Sequence, residues 1–79
     1  MLQFPNEVND VQILRLQREM SQADLADLVG CSRTQMSFIE TGRELPTAEQ
    51  LHKLQAIFDV PRTHLFGKEA LALILKGGG

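Results

Sequence analysis

The side chains of this sequence that could do chemistry are two histidines, one cysteine, and a group of arginine and hydroxyl side chains between residues 33 and 43. His52 and His64 are twelve positions apart on different predicted elements. Cys31 is the only cysteine, so neither an intrachain disulfide nor a four-cysteine zinc site can form. No serine or cysteine has the histidine context of a nucleophilic site. The sequence therefore predicts no enzyme activity, no metal site and no cofactor.

The group between residues 33 and 43 is better suited to hydrogen bonding. If residues 33–41 form a helix that turns about 100° per residue, Met36 and Ile39 share the side that faces the core. The other side then holds Thr34, Ser37, Phe38 and Thr41, with Arg33 at its edge on the first turn. An arginine can bond a guanine through two donors, and hydroxyl groups can bond several base edges. The alternative for the polar residues is an ordinary solvated surface.

Capping patterns predict the helices that must position these side chains. Three pairs place a serine or threonine three residues before an aspartate or glutamine: Ser21 and Asp24, Ser32 and Gln35, and Thr47 and Gln50. Apolar residues on either side of each pair match a hydrophobic staple. Because each cap satisfies backbone N–H groups of a first helical turn, the pattern predicts helices at 22–29, 33–41 and 48–58.

The remaining segments also have helical periodicity. Val11, Leu14 and Arg18 line one face of a first helix at about 7–19. Pro61 can open a short helical turn through Phe66. The predicted layout is an N-terminal arm at 1–6, a domain at 7–67, a C-terminal apolar helix at 68–76 and a flexible glycine tail at 77–79.

The second and third predicted helices are joined by a very short turn, Gly30-Cys31-Ser32. Gly30 suits a left-handed backbone just past a helix end, and the small Ala26 lets the two helices approach closely. This arrangement is typical of a helix-turn-helix.

The stretch from Met20 to Arg43, MSQADLADLVGCSRTQMSFIETGR, resembles the helix-turn-helix of the Cro and phage-repressor family, also called the XRE type. The resemblance extends from Val11 to Phe66 and covers about 55 of the 79 residues. It implies an all-α fold, a five-helix repressor-like domain, to which this chain adds a C-terminal helix. Restriction–modification controller proteins, a subset of the family, have a similar size and layout.

The resemblance also implies roles for individual residues. The third helix would enter the major groove of DNA, with base contacts from Arg33, Thr34, Ser37 and Phe38. Contacts to the DNA backbone would come from Gln22, Arg18, Thr41 and Arg43. Phe38 is unusual because many family members have a polar or basic residue at this position. It could pack on thymine methyl groups, or a rotated third helix could place it partly in the core.

The resemblance implies an ion pair between Arg15 and Glu40 that joins the first and third helices. The pair would position the third helix without reading bases. If it is buried, loss of one partner should cost about 3 kcal/mol or more. The alternative is two unrelated surface charges.

The net charge of −2 is low for a DNA-binding protein, since phosphate neutralisation dominates affinity. Dimerisation would double the contacts. The last helix offers Leu71, Ile74 and Leu75 as dimerisation residues, although these apolar side chains could instead cover the core of their own chain.

These observations predict a cytoplasmic, repressor-type transcription regulator that binds a palindromic operator in double-stranded DNA as a homodimer. The alternative is a protein-interaction module or an antitoxin whose main ligand is a protein partner. No apolar run approaches the roughly 18 residues of a membrane span, so no membrane partner is predicted.

Overall fold

A computed structural model describes residues 9–77, and this range contains five α-helices and one 3₁₀ helix. The elements in chain order are α1 (Val11–Gln17), α2 (Gln22–Val29), α3 (Arg33–Thr41), α4 (Ala48–Phe58), the 3₁₀ helix (Arg62–His64) and α5 (Lys68–Gly77). The predicted all-α fold is confirmed. The 3₁₀ helix stands at the position of the fifth helix of the domain, and α5 is the additional C-terminal helix. None of the described helices is long and apolar enough to cross a membrane.

Three helices begin at the residues that the capping patterns predicted. Asp24 N donates to Ser21 Oγ at 3.0 Å, and Ser21 N donates to Asp24 Oδ2 at 3.2 Å, which forms a reciprocal capping box at α2. Thr47 forms the same box at α4. At α3, Ser32 accepts a hydrogen bond from the backbone N–H of residue 35 at 3.0 Å. The N-terminus of each of these helices is set by hydrogen bonds between residues three positions apart. A sequence pattern can therefore predict it.

The first helix is shorter than the predicted 7–19, and both of its ends have a physical cause. Asn9 forms an antiparallel bridge with Phe66, so the backbone is not helical there and α1 begins at Val11. At the other end, α1 stops at Gln17, and Glu19 has the left-handed φ of 55°. The predicted N-terminal arm at 1–6 lies outside the described residues.

The core lies among all five α-helices. Its buried apolar side chains are Val11, Leu25, Ala26, Val29, Met36, Ile39, Leu51, Leu54, Phe58, Leu65, Phe66, Ala70, Leu71 and Ile74. Since α2 and α3 contribute five of these residues, their relative orientation is fixed by the same core that stabilises the domain.

The C-terminal helix corrects the predicted set of dimerisation residues. Leu71 is 7% exposed and Ile74 is 3% exposed, because both pack into the core of their own chain. Leu75 is 39% exposed, and so is its neighbour Leu73 at 50%. Of the three predicted residues, only Leu75 is therefore accessible to a second copy. Gly77, predicted in the flexible tail, ends α5, while residues 78 and 79 lie outside the described range.

Candidate nucleic-acid interface

The turn between α2 and α3 has the geometry that the glycine predicted. Gly30 has a φ of 86°, and its N–H donates to the carbonyl of Ala26 at 2.8 Å. The N–H of Cys31 donates to the same carbonyl at 2.9 Å. These two bonds close the end of α2, and Ser32 immediately caps α3. The turn thus spans three residues and presents α3 at the surface.

One side of α3 is buried and the other is open to solvent. Met36 and Ile39 have no exposed surface. Arg33 and Thr34 are exposed on the first turn, and Ser37 is half-buried one turn later. The three polar residues predicted to contact bases therefore lie together on the outward face. Their guanidinium and hydroxyl groups can donate and accept hydrogen bonds at the edge of a base pair.

Phe38 is half-buried and lies beside Arg43. The Arg43 guanidinium carbon is 5.9 Å from the centre of the Phe38 ring, within range of a cation–π interaction. The carbonyl of Phe38 also accepts a hydrogen bond from the backbone N–H of Arg43 at 2.8 Å. Because Met36 and Ile39 fill the core side of the helix, α3 is not rotated to bury Phe38. Its ring lies at the border of the outward face, beside a cation.

A hydrogen-bonded network links the start of α2 to the end of α3. Arg15 Nε donates to Glu40 Oε2 at 2.7 Å, and Arg15 Nη2 donates to Glu40 Oε1 at 3.3 Å. Gln22 Nε2 donates to Glu40 Oε1 at 3.1 Å, and Arg15 Nη1 donates to the carbonyl of Met20 at 2.8 Å. The side chains of Arg15 and Glu40 are 8% and 1% exposed. A buried carboxylate thus has a counter-charge and a neutral donor.

Two of the residues predicted to contact the DNA backbone have other partners. Arg18 Nη2 donates to the carbonyl of Phe58 at 2.8 Å, and its guanidinium carbon is 5.1 Å from the centre of the Phe58 ring. The hydroxyl of Thr41 donates to the carbonyl of Ser37 at 2.9 Å. A phosphate oxygen can only accept, so this exposed hydroxyl would have to rotate away from the carbonyl to donate to one. The bond from Arg18 stabilises the end of α4 and uses one of the five guanidinium donors.

Asn9 is a positioning residue that the sequence analysis missed. Its Nδ2 donates to the carbonyl of Ile39 at 2.8 Å, and its backbone pairs with Phe66. It thereby holds the last turn of α3 against the segment that precedes α5. An asparagine just before a helix is typical of a local N-cap. No sequence pattern around it indicates a hydrogen-bond partner 30 residues away.

The histidines and the cysteine do not come together. His52 lies on α4 and His64 on the 3₁₀ helix, and both are exposed. Within residues 9–77 no group of three or more metal-ligating side chains is present. Burial, followed by the charge of Glu44, raises the pKa of the Cys31 thiol. A raised pKa lowers the fraction of thiolate, which is the reactive form.

Comparisons with known proteins agree with this geometry. A family model described as a helix-turn-helix domain matches residues 11–65. Among solved structures, the chain is similar to the restriction-modification controller protein C.AhdI from Aeromonas hydrophila, with 28% identity and a TM-score of 0.62 over 71% of this chain and 85% of that one. It is also similar to the hypothetical transcription factor NHTF from Neisseria, with 25% identity and a TM-score of 0.60 over 96% of this chain and 98% of that one. No curated protein sequence matches significantly.

Proposed function

Because this chain belongs to the helix-turn-helix domain family, we propose that it is a transcription regulator that binds operator DNA as a homodimer, with α3 in the major groove. The family and the two similar structures, described as a controller protein and a transcription factor, support a DNA-binding regulator. The observation that carries the proposal is the division of α3, with Met36 and Ile39 buried and Arg33 and Thr34 exposed.

In this proposal the first two turns of α3 read the bases. Arg33 bonds a guanine through two donors, while Thr34 and Ser37 bond neighbouring base edges. Phe38 packs on a thymine methyl group with the part of its ring that Arg43 leaves open. An apolar contact with this methyl group distinguishes thymine from the other bases in the major groove.

Phosphate contacts come from both ends of the helix-turn-helix. Gln22 is the first residue of α2, and its amide can donate to a phosphate oxygen. Arg43 follows α3 and supplies a positive charge. Thr41 and Arg18 each donate to a carbonyl of their own chain, but both side chains are exposed and Arg18 uses one of its five donors there, so both remain in the proposal as further phosphate contacts.

A homodimer would place two copies of α3 on one side of the duplex. A two-fold axis requires equivalent contacts in each half-site, and one turn of duplex separates half-sites by about 34 Å. The operator would then be roughly palindromic. Leu75 supplies exposed apolar surface on α5 for this contact.

Selection from a random duplex pool at near-physiological salt, followed by sequencing, tests the proposal. We expect enrichment of a palindrome whose half-sites are one turn apart. A folded, dimeric protein that enriches no motif would contradict the proposal and favour a protein ligand. The variant Arg33→Ala run in parallel is the control, since it should lose the motif and retain the fold.

A further inference from the structure

We infer that the Arg15–Glu40 ion pair has a second task, which is to orient the Gln22 side chain for its phosphate contact. The inference rests on the proposed function, because it assigns a positioning role within the DNA-binding surface. It extends the role of the pair from joining α1 and α3 to preparing the start of α2.

The orientation of the Gln22 amide follows from the chemistry of its partner. An ionised carboxylate has acceptors only, so Glu40 Oε1 must face the nitrogen of the amide. The Glu40 side chain is 1% exposed and accepts two hydrogen bonds from Arg15, so this acceptor has a fixed position. The amide nitrogen of Gln22 is therefore fixed as well.

A fixed amide matters because phosphate oxygens accept hydrogen bonds and cannot donate them. The amide of an unrestrained glutamine can rotate, so either its oxygen or its nitrogen can face a phosphate. With one N–H on Glu40, the amide nitrogen retains a second N–H that can be directed to a phosphate. Arg15 neutralises Glu40, so the bond to Gln22 is made without an uncompensated negative charge near the DNA.

The test needs a variant that removes the acceptor without leaving a buried charge. A single change of Arg15 or Glu40 to a neutral residue would leave its partner unpaired and destabilise the domain strongly. The double change Arg15→Met with Glu40→Leu replaces the pair by apolar side chains, which is often neutral or stabilising. It removes one charge of each sign, so the net charge stays the same.

We expect this double variant to fold and to bind the selected operator about fivefold to tenfold more weakly, the size of one lost hydrogen bond. The change Gln22→Ala should cost the same factor in the wild-type background and almost nothing in the double variant. The salt dependence of binding should be unchanged, because Gln22 carries no charge. Gln12→Ala, an exposed glutamine on α1, serves as the matched control.

Equal costs of Gln22→Ala in both backgrounds would overturn the inference, as would a changed salt dependence in the double variant. Absence of DNA binding by the wild-type protein would instead refute the proposed function. If the double variant does not fold, Glu40→Asp replaces it, because the shorter side chain keeps the charge but withdraws the acceptor from Gln22. In that background too, a full cost of Gln22→Ala would contradict the inference.

Discussion

Arg33 is the side chain on which base recognition should depend most. It is exposed on the first turn of α3, immediately after the cap residue Ser32. Its planar fork of donors matches the two acceptors that guanine presents in the major groove. Thr34 and Ser37 lie beside it on the same face, but a hydroxyl discriminates less between bases than a bidentate contact does.

We expect Arg33→Ala to reduce the preference for operator over random DNA by about tenfold to a hundredfold, the cost of one bidentate base contact. Affinity for random DNA should fall much less. Competition binding with labelled operator measures both values. Arg62→Ala, on the exposed 3₁₀ helix, is the control and should leave the ratio unchanged. Equal losses on both kinds of DNA would show that Arg33 contacts phosphate instead of a base.

Cys31 should react slowly in the folded protein. Burial and the nearby charge of Glu44 raise the pKa of its thiol, so little thiolate is present at about pH 8. Folding favours the protonated form, and the associated stability is present at neutral pH and lost as the pH rises through the raised pKa. Alkylation with iodoacetamide should therefore be markedly faster in denaturant than in native buffer. Equal rates would contradict the assigned environment.

At the scale of the elements, the helices differ in the type of residue that adopts a left-handed conformation at the C-terminal end. Gly30 and Gly42 end α2 and α3 in left-handed conformations that glycine adopts without cost. Glu19 and Asp59 adopt the same conformation with φ values of 55° and 54°, although both carry a Cβ atom. A left-handed conformation costs an ordinary residue about 1–2 kcal/mol.

The substitution Glu19→Gly should stabilise the domain by up to about 1 kcal/mol, because relief of the left-handed strain outweighs the greater freedom of glycine in the unfolded chain. Urea denaturation monitored by circular dichroism measures this difference. The same change at an exposed position inside α1, Gln12→Gly, should destabilise by about 0.5–1 kcal/mol. A loss of stability in both variants would mean that the backbone at Glu19 is not strained.

At the scale of the whole molecule, the large apolar side chains of α5 differ in burial. Leu71 and Ile74 belong to the core, and Leu75 is exposed. We expect Ile74→Ala to destabilise each protomer by about 2–5 kcal/mol, because it leaves a cavity in the core. Thermal and urea unfolding at one fixed protein concentration would measure this loss.

The exposed Leu75 should affect assembly more than folding. We expect Leu75→Glu to weaken the proposed homodimer and leave the domain folded, because it places a charge in the proposed apolar contact. Sedimentation equilibrium measures the dissociation constant. The variant should also bind the palindromic operator more weakly, since the phosphate contacts of a protein with a net charge of −2 would no longer be doubled. An unchanged dimer would place the interface elsewhere.

The sequence by itself determined the helices that depend on local contacts. Ser21, Ser32 and Thr47 begin α2, α3 and α4 at the predicted residues, because each cap acts within three positions of the chain. The buried and exposed faces of α3 follow from the helical period alone. The helix-turn-helix pattern of residues 20–43 belongs to this local information, and it was sufficient to indicate the family.

The tertiary structure alone decided what depends on distant contacts. Gln22, Asn9 and Arg18 bond partners 18, 30 and 40 positions away, and no local pattern indicates such pairs. It also decided which leucine of α5 remains exposed, since Leu71 and Leu75 are the same residue type one turn apart. How far the buried surface extends along α5 depends on where α4 lies, because side-chain burial is a property of the packed molecule.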